Sequence, residues 1–337
     1  MRIGLALPHY DTSLAGAPAS WEGVRRVARL AEDSGFDSVW VSDHLFLDWG
    51  RYGGPSDAQG SLECWTALSA IAASTSRVRV GSLTLCNDLR APALLAKMAA
   101  AVDLLSGGRL DLALGAGWYQ QEYQRAGIEF ARPGIRIERL GEAVEVIQRL
   151  LEGEELHFRG RHYRIEGAVC CPGPHRKPRP PVWIGGKGDR LLDTAARIAD
   201  GWNMSWLGSL EPYRDRLDAA TAACERAGRD PASLRRSVGV YVLVGRDDGD
   251  ARSRFERLAE RTPAGVLQTD NGRAAVSWEE FRRGHFAGTV GEVLDRLGPL
   301  KELGVEEVIV TLGTLPFQVA NEDDVGLVGS EIAPALR

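Results

Sequence analysis

Ser34-Gly35-Phe36-Asp37-Ser38-Val39-Trp40-Val41-Ser42-Asp43-His44 holds the unit from which the fold is read. A helical stretch with apolar residues at Val24, Val27, Ala28, Leu30 and Ala31 stops at Gly35, a residue suited to the left-handed turn that ends helices. Residues 38–41 then read as a short buried strand, and the chain leaves that strand on two polar side chains, Asp43 and His44. Helix, short strand and polar strand end recur on both sides of this unit.

Upstream, residues 2–7 are a first aliphatic strand, joined to the second by the helix at 21–34. Downstream, strands are expected at 78–85, 110–114, 182–184, 201–204, 237–244 and 307–312. Between them lie helices at 62–74, 91–105, 135–151, 191–199, 212–227, 250–261 and 290–303. Strands alternating with helical segments in this number predict an α/β fold, a (β/α)8 TIM barrel with insertions, in a single domain over 1–337. A doubly wound sheet uses the same alternation but usually has fewer strands. The rhythm breaks at 154–181, where a hairpin runs into a Pro-rich loop, and at 262–286, an irregular stretch expected to fold over the pocket as a lid. The tail, 313–337, is expected to be partly helical.

Composition agrees with that reading. The 337 residues are 44% hydrophobic and 26% charged, which excludes a disordered chain. A minimal barrel needs about 250 residues, so the surplus falls in the loops after Asp43 and Gly117, the two interruptions and the tail. Net charge is −5 without long runs of one sign, which speaks against a nucleic-acid partner. The longest apolar stretch, 93–105, contains Lys97 and Asp103 and is too short to span a membrane. The N-terminus meets Pro8, His9 and Tyr10 before a signal-like segment can form, so a cytoplasmic location is expected. Five cysteines lack zinc spacing and read as reduced thiols, with the Cys170-Cys171 pair structural. The 37 Arg against 4 Lys point to a GC-rich bacterial genome.

Functional groups of such barrels lie at the C-terminal strand ends. His9 follows strand one, and Asp43 and His44 follow strand two. Asn87, Asp88 and Arg90 follow strand three, and Gly115-Ala116-Gly117-Trp118 and Glu122 follow strand four. Gly185-Gly186-Lys187-Gly188 follows strand five, and Asn203, Ser205 and Trp206 follow strand six. His44 is either a general acid/base near neutral pH or a loop histidine bonded to a neighbour, and Asp43 beside it favours the first. The glycine run after strand five leads straight into a helix, where free N–H groups and the helix dipole can hold a phosphate. A tight turn with positive φ would use the same residues. Trp49, Trp118, Trp202 and Trp206 either line a pocket for a flat ligand or fill the barrel. A metal-dependent hydrolase could draw on His9, Asp43, His44 and Asp88, but strand one lacks a His-x-His, and no metal is expected.

These pieces, taken in order, resemble the bacterial luciferase-like monooxygenase superfamily, and most of all its coenzyme F420-dependent oxidoreductase branch. The resemblance rests on 34–44, on Val80-Gly81-Ser82-Leu83-Thr84 with Arg90-Ala91-Pro92-Ala93, and on Leu104 with Ser106-Gly107-Gly108-Arg109-Leu110. It rests further on Gly115–Trp118, Pro181-Val182-Trp183-Ile184-Gly185-Gly186, Ala199-Asp200-Gly201-Trp202-Asn203 and Gly288-Thr289. It implies hydride transfer between F420 and a small organic substrate, with His44 as proton donor or acceptor and Asp43 beside it. It implies a non-prolyl cis peptide at Leu83-Thr84 against one face of the cofactor ring. Cofactor contacts are implied for Leu83, Thr84, Asn87, Gly115, Ala116, Gly117, Trp118, Gly185, Gly186, Lys187 and Gly188. The substrate pocket would take His9, Trp49, Glu122, Trp202, Asn203 and Trp206. A homodimer is implied by the same resemblance. Some deazaflavin dehydrogenases carry a carboxylate where this chain has Trp118; its nearest acid is Glu122, which speaks against a sugar-phosphate dehydrogenase. With FMN in place of F420 the activity would be a reduced-flavin, O2-dependent monooxygenase, and a non-catalytic flavin-binding protein would keep the same residues.

Overall fold

The computed structural model describes residues 1–48, 60–262 and 277–337. Eight parallel strands form a closed barrel: β1 (Arg2–Ala6), β2 (Ser38–Val41), β3 (Arg79–Ser82), β4 (Leu110–Gly115), β5 (Val182–Gly185), β6 (Gly201–Leu207), β7 (Arg235–Gly245) and β8 (Glu307–Thr311). Neighbours in the chain are neighbours in the ring, and β8 returns to β1 with Arg2 opposite Glu307 and Leu5 opposite Val310. Because helices cover the outside and side chains fill the inside, the strands are buried on both faces and read as aliphatic runs. The helix Trp21–Ser34 begins at a Ser20 cap that accepts from the Gly23 N–H and ends at Gly35, whose φ is 101°. The next helix starts at Cys64, two residues later than expected, because the Glu63 carboxylate caps it through the Trp65 and Thr66 N–H groups.

Two expected elements differ. Strand three was expected to run unbroken over 78–85. Instead β3 stops at Ser82, the Leu83-Thr84 peptide is cis, as the resemblance implied, and the chain re-pairs with β4 only at Leu85–Cys86. The stretch 262–286 was expected to be irregular. In its described part, a Ser277–Glu280 capping box starts a helix at Trp278–Gly284, and Phe286–Thr289 forms a strand beside β7, outside the ring. Residues 263–276 of the expected lid lie outside the described residues. The segment after Trp118 contains a short helix, Gln120–Arg125. The expected hairpin is present as Leu156–Arg159 against Arg164–Ala168. The five cysteines are free thiols, and only Cys171 is exposed. Among the described residues no helix is long and apolar enough to cross a membrane.

Inside the ring, Trp40 and Trp183 lie where a Cβ on Gly81 or Gly201 would stand. Below them is a buried ionic layer. Arg79 pairs with both Asp111 and Glu307, Ser38 donates to Glu307, and the Arg235 guanidinium lies 4.7 Å from the centre of the Trp183 ring. Arg79, Ser38, Arg235 and Glu307 are the first residues of their strands, so this layer closes the N-terminal end of the barrel. The C-terminal end stays open.

Candidate active site

The open end holds a cavity of about 700 Å3. Tyr10 after β1, His44 after β2, Thr84 after β3, Gly115–Tyr119 at the end of β4, Gly185–Lys187 at the end of β5, Asn203 and Trp206 in β6 and Phe317 after β8 all reach it. The strand-end rule thus gathers residues far apart in the chain onto one surface. A second cavity, about 450 Å3, lies between the helix Asp248–Ala259 and the segment after β8. Its buried Arg254 is matched by Asp250 and Asp324, and among the described residues no histidine or cysteine lines it.

At the first cavity, His44 Nδ1 lies 3.0 Å from Glu122 Oε2. The other Glu122 oxygen accepts from the Leu45 and Phe46 N–H groups, at 2.5 and 3.0 Å. Burial works against this carboxylate, but His44 and the two amides outweigh it and hold its pKa below the usual range. Glu122 is therefore a buried anion that fixes the imidazole, leaving Nε2 as the nitrogen directed to the cavity. Trp118 packs edge-on against the ring, with centroids 5.4 Å apart.

Asp43, expected to be the partner of His44, is committed elsewhere. Its oxygens take Arg90 at 2.6 and 3.1 Å and the Cys86 N–H at 3.0 Å. Burial raises its pKa, and Arg90 opposes the rise. The side chain thus ties the end of β2 to the cis-peptide segment after β3. His9 is fully buried: its Nδ1–H donates to the Leu7 carbonyl at 2.9 Å and its Nε2 accepts from the Ser42 N–H at 3.3 Å. Desolvation lowers its pKa to about 4. At neutral pH it is an uncharged strut between the ends of β1 and β2, with no face on the cavity. Asn87 is also behind the wall, bonded to Tyr163 at 3.1 Å. Among the described residues, no three His, Cys, Asp or Glu converge as a metal-ligand set.

The histidine makes acid sensitivity measurable. Between pH 6.5 and about 4 the unfolded chain takes up a proton at His9 that the folded chain refuses, so stability falls as pH falls through that window. The loss at the lower limit is about 3 kcal/mol. Urea midpoints at pH 7 and pH 4.5 are expected to separate less in His9→Gln than in the wild type; equal separations would rule out this account.

Across the cavity, Gly185 and Gly186 leave bare backbone. Gly186 has φ 142°, and an added Cβ would lie 2.9 Å from Leu191 Cδ1. Its N–H donates to the Asn203 carbonyl at 3.0 Å, and its carbonyl accepts from Trp202 Nε1 at 2.8 Å. Trp202 is therefore not a pocket residue. Stacked on Tyr213 and fully buried, it holds the glycine turn from behind. Asn203 lines the cavity and is itself held by Ser205 and Ser237. Gly188 caps the helix Asp189–Ile198 without a side-chain acceptor for its first amides, and Lys187 stands beside it. Free amides, a helix N-terminus and a lysine together suit an anion. Trp49 lies outside the described residues.

Several cavity residues were not anticipated. Tyr119 and Tyr123 share the spacing of Glu122 on one helix face, a signal present in the chain. Phe317 carries none: it arrives because the tail folds back, pairing Val319 with Leu14 and Leu312.

Residues 1–315 match the family described as luciferase-like monooxygenase. The F420-dependent hydroxymycolic acid dehydrogenase of Mycobacterium tuberculosis is 29% identical over 322 residues, covering 92% of this chain and 83% of that protein. The FMNH2-dependent dimethylsulfone monooxygenase of Pseudomonas putida is 24% identical over 334 residues, covering 93% and 87%. Among solved structures, an F420-dependent secondary alcohol dehydrogenase in complex with an F420-acetone adduct superposes with a TM-score of 0.75 at 21% identity, covering 100% of this chain and 99% of that one.

Proposed function

The chain belongs to the luciferase-like monooxygenase family, and from that premise we propose that it transfers a hydride between coenzyme F420 and a small organic substrate, with His44 moving the accompanying proton. The observation that carries this reading is His44, fixed by Glu122, on a cavity whose other side is bare glycine backbone. The residues fit such a cofactor. A Cβ would fill the space at Gly186, and the Asp189–Ile198 helix presents its N-terminus next to Lys187. Gly185, Gly186, Lys187 and Gly188 would hold the phosphate. Leu83, Thr84 and Gly115–Trp118 would flank the ring. When bound, the deazaflavin supplies a carbon that gives or takes hydride.

The chain's own task is positioning and proton transfer. The Glu122 carboxylate keeps Nδ1 occupied and stabilises the imidazolium formed when Nε2 accepts a proton. Asp43 and Arg90 keep the β2 and β3 ends in register around that histidine. Two relatives, the hydroxymycolic acid dehydrogenase of Mycobacterium tuberculosis and the glucose-6-phosphate dehydrogenase of Amycolatopsis mediterranei, are named F420-dependent, which supports the first reading. The Pseudomonas putida relative supports an FMN-dependent monooxygenase as the second. Fluorescence titration of the purified protein with each cofactor separates them. F420 is expected to bind at least about tenfold more tightly than FMN, a difference of about 1.4 kcal/mol; tight FMN binding without F420 binding would overturn the proposal.

A further inference from the structure

The second cavity, about 450 Å3, is divided from the first by residues 315–318. Leu315 and Gln318 line the second, whereas Pro316 and Phe317 line the first. Strained backbone gathers at this partition. Among the described residues, the non-glycine residues with positive φ are Thr12, Ala15 and Phe317, at 64°, 50° and 57°. Thr12 and Ala15 line the second cavity, and Phe317 lies in the partition. The two strained segments are laced together: the Ala15 N–H donates to the Val319 carbonyl at 3.0 Å, and the Val319 N–H to the Ser13 carbonyl at 2.8 Å. Side chains held in the left-handed region cost free energy, and such residues cluster at ligand clamps and active sites.

The lining has two parts. Val242, Leu243, Leu258 and Leu312 are apolar, and beside them stand three arginines and one acid, Arg254, Arg257, Arg261 and Asp324. Spacings of three, four and seven put the arginines and Leu258 on one face of the helix Asp248–Ala259 and the turn that follows it. Arg254 is buried, its charge matched by Asp324 and Asp250. The other two are not matched. Arg257 donates to the Ser253 hydroxyl at 2.6 Å and Arg261 to the Ala15 carbonyl at 3.3 Å, and among the described residues neither has a carboxylate within ion-pair reach. A chain of net charge −5 thus places surplus positive charge on an apolar cavity. Small-molecule sites are of this kind, about 300–1,000 Å3 and apolar with a few placed polar groups. Guanidinium groups match carboxylates and phosphates in charge and shape. We propose that this cavity is a second ligand site, for a small molecule bearing a carboxylate or phosphate on an apolar body. Arg257 and Arg261 hold the anion, and Leu243 and Leu258 hold the body. The site is independent of the chemistry in the first cavity.

Calorimetric titration of the full-length protein tests this with hexanoate, hexyl phosphate, 1-hexanol, acetate and inorganic phosphate as probes. The tighter of hexanoate and hexyl phosphate identifies the anion. It is expected to bind at least about tenfold more tightly than 1-hexanol, which lacks the charge, and than acetate or inorganic phosphate, which lack the body. Arg257→Gln combined with Arg261→Gln is expected to weaken that probe about tenfold and to leave 1-hexanol unchanged. Both side chains are exposed, so the double variant should melt near the wild-type temperature, which separates lost binding from lost folding. Lys187→Gln reports on the first cavity and is expected to leave the probe's affinity within about twofold of wild type. Binding no tighter than that of 1-hexanol, binding indifferent to the arginine pair, or binding weakened by Lys187→Gln would overturn the proposal.

Discussion

Replacing His44 with Ala is expected to lower turnover about a hundredfold or more while cofactor affinity and thermal stability stay near wild type. A positioned acid or base contributes about 10²–10⁴ in rate, and Nε2 is the nitrogen of this ring that Glu122 leaves for the substrate. Water can replace part of the lost proton transfer, so the variant keeps residual activity. The ring is partly exposed and bears no backbone load, so its loss should not unfold the strand ends. Glu122→Gln is the companion. It keeps the shape of the side chain but removes the charge that favours a protonated imidazole, and kcat should fall with KM little changed. Steady-state kinetics with a substrate that the wild type turns over check both; an unchanged kcat in His44→Ala would remove the histidine from the mechanism.

Gly186→Val is expected to weaken F420 binding about a hundredfold, and FMN binding similarly. Two effects add. At φ 142° a β-branched residue is strained, and its Cβ would lie 2.9 Å from Leu191 Cδ1. Either the turn moves, breaking its bonds to Asn203 and Trp202, or the side chain fills the space where a phosphate would meet backbone amides. Riboflavin, which lacks the phosphate, should lose much less affinity. Equal losses for riboflavin and FMN would place the phosphate elsewhere.

The barrel was legible because its strands are buried on both faces and its helices carry plain stop signals, as at Gly35. Strand ends then located the site without any knowledge of which side chains touch. That last step was out of reach. Asp43 adjoins His44 in the chain, yet its carboxylate turns to Arg90, 47 positions on, while the acid on His44 comes from 78 positions away. Contacts of that kind depend on how β2, β3 and β4 are staggered, and residue order does not record stagger. His9 and Trp202 show the converse error: both follow or sit in the right strands, but their rings point into the packing behind the cavity. Phe317 needed the path of the tail.

The ionic layer of Arg79, Asp111 and Glu307 has a kinetic meaning as well as a structural one. With that end of the barrel plugged, the cavity opens, among the described residues, at the C-terminal end of the strands. The plug, on the far side from the chemistry, thereby leaves entry and release to the loops at the C-terminal rim.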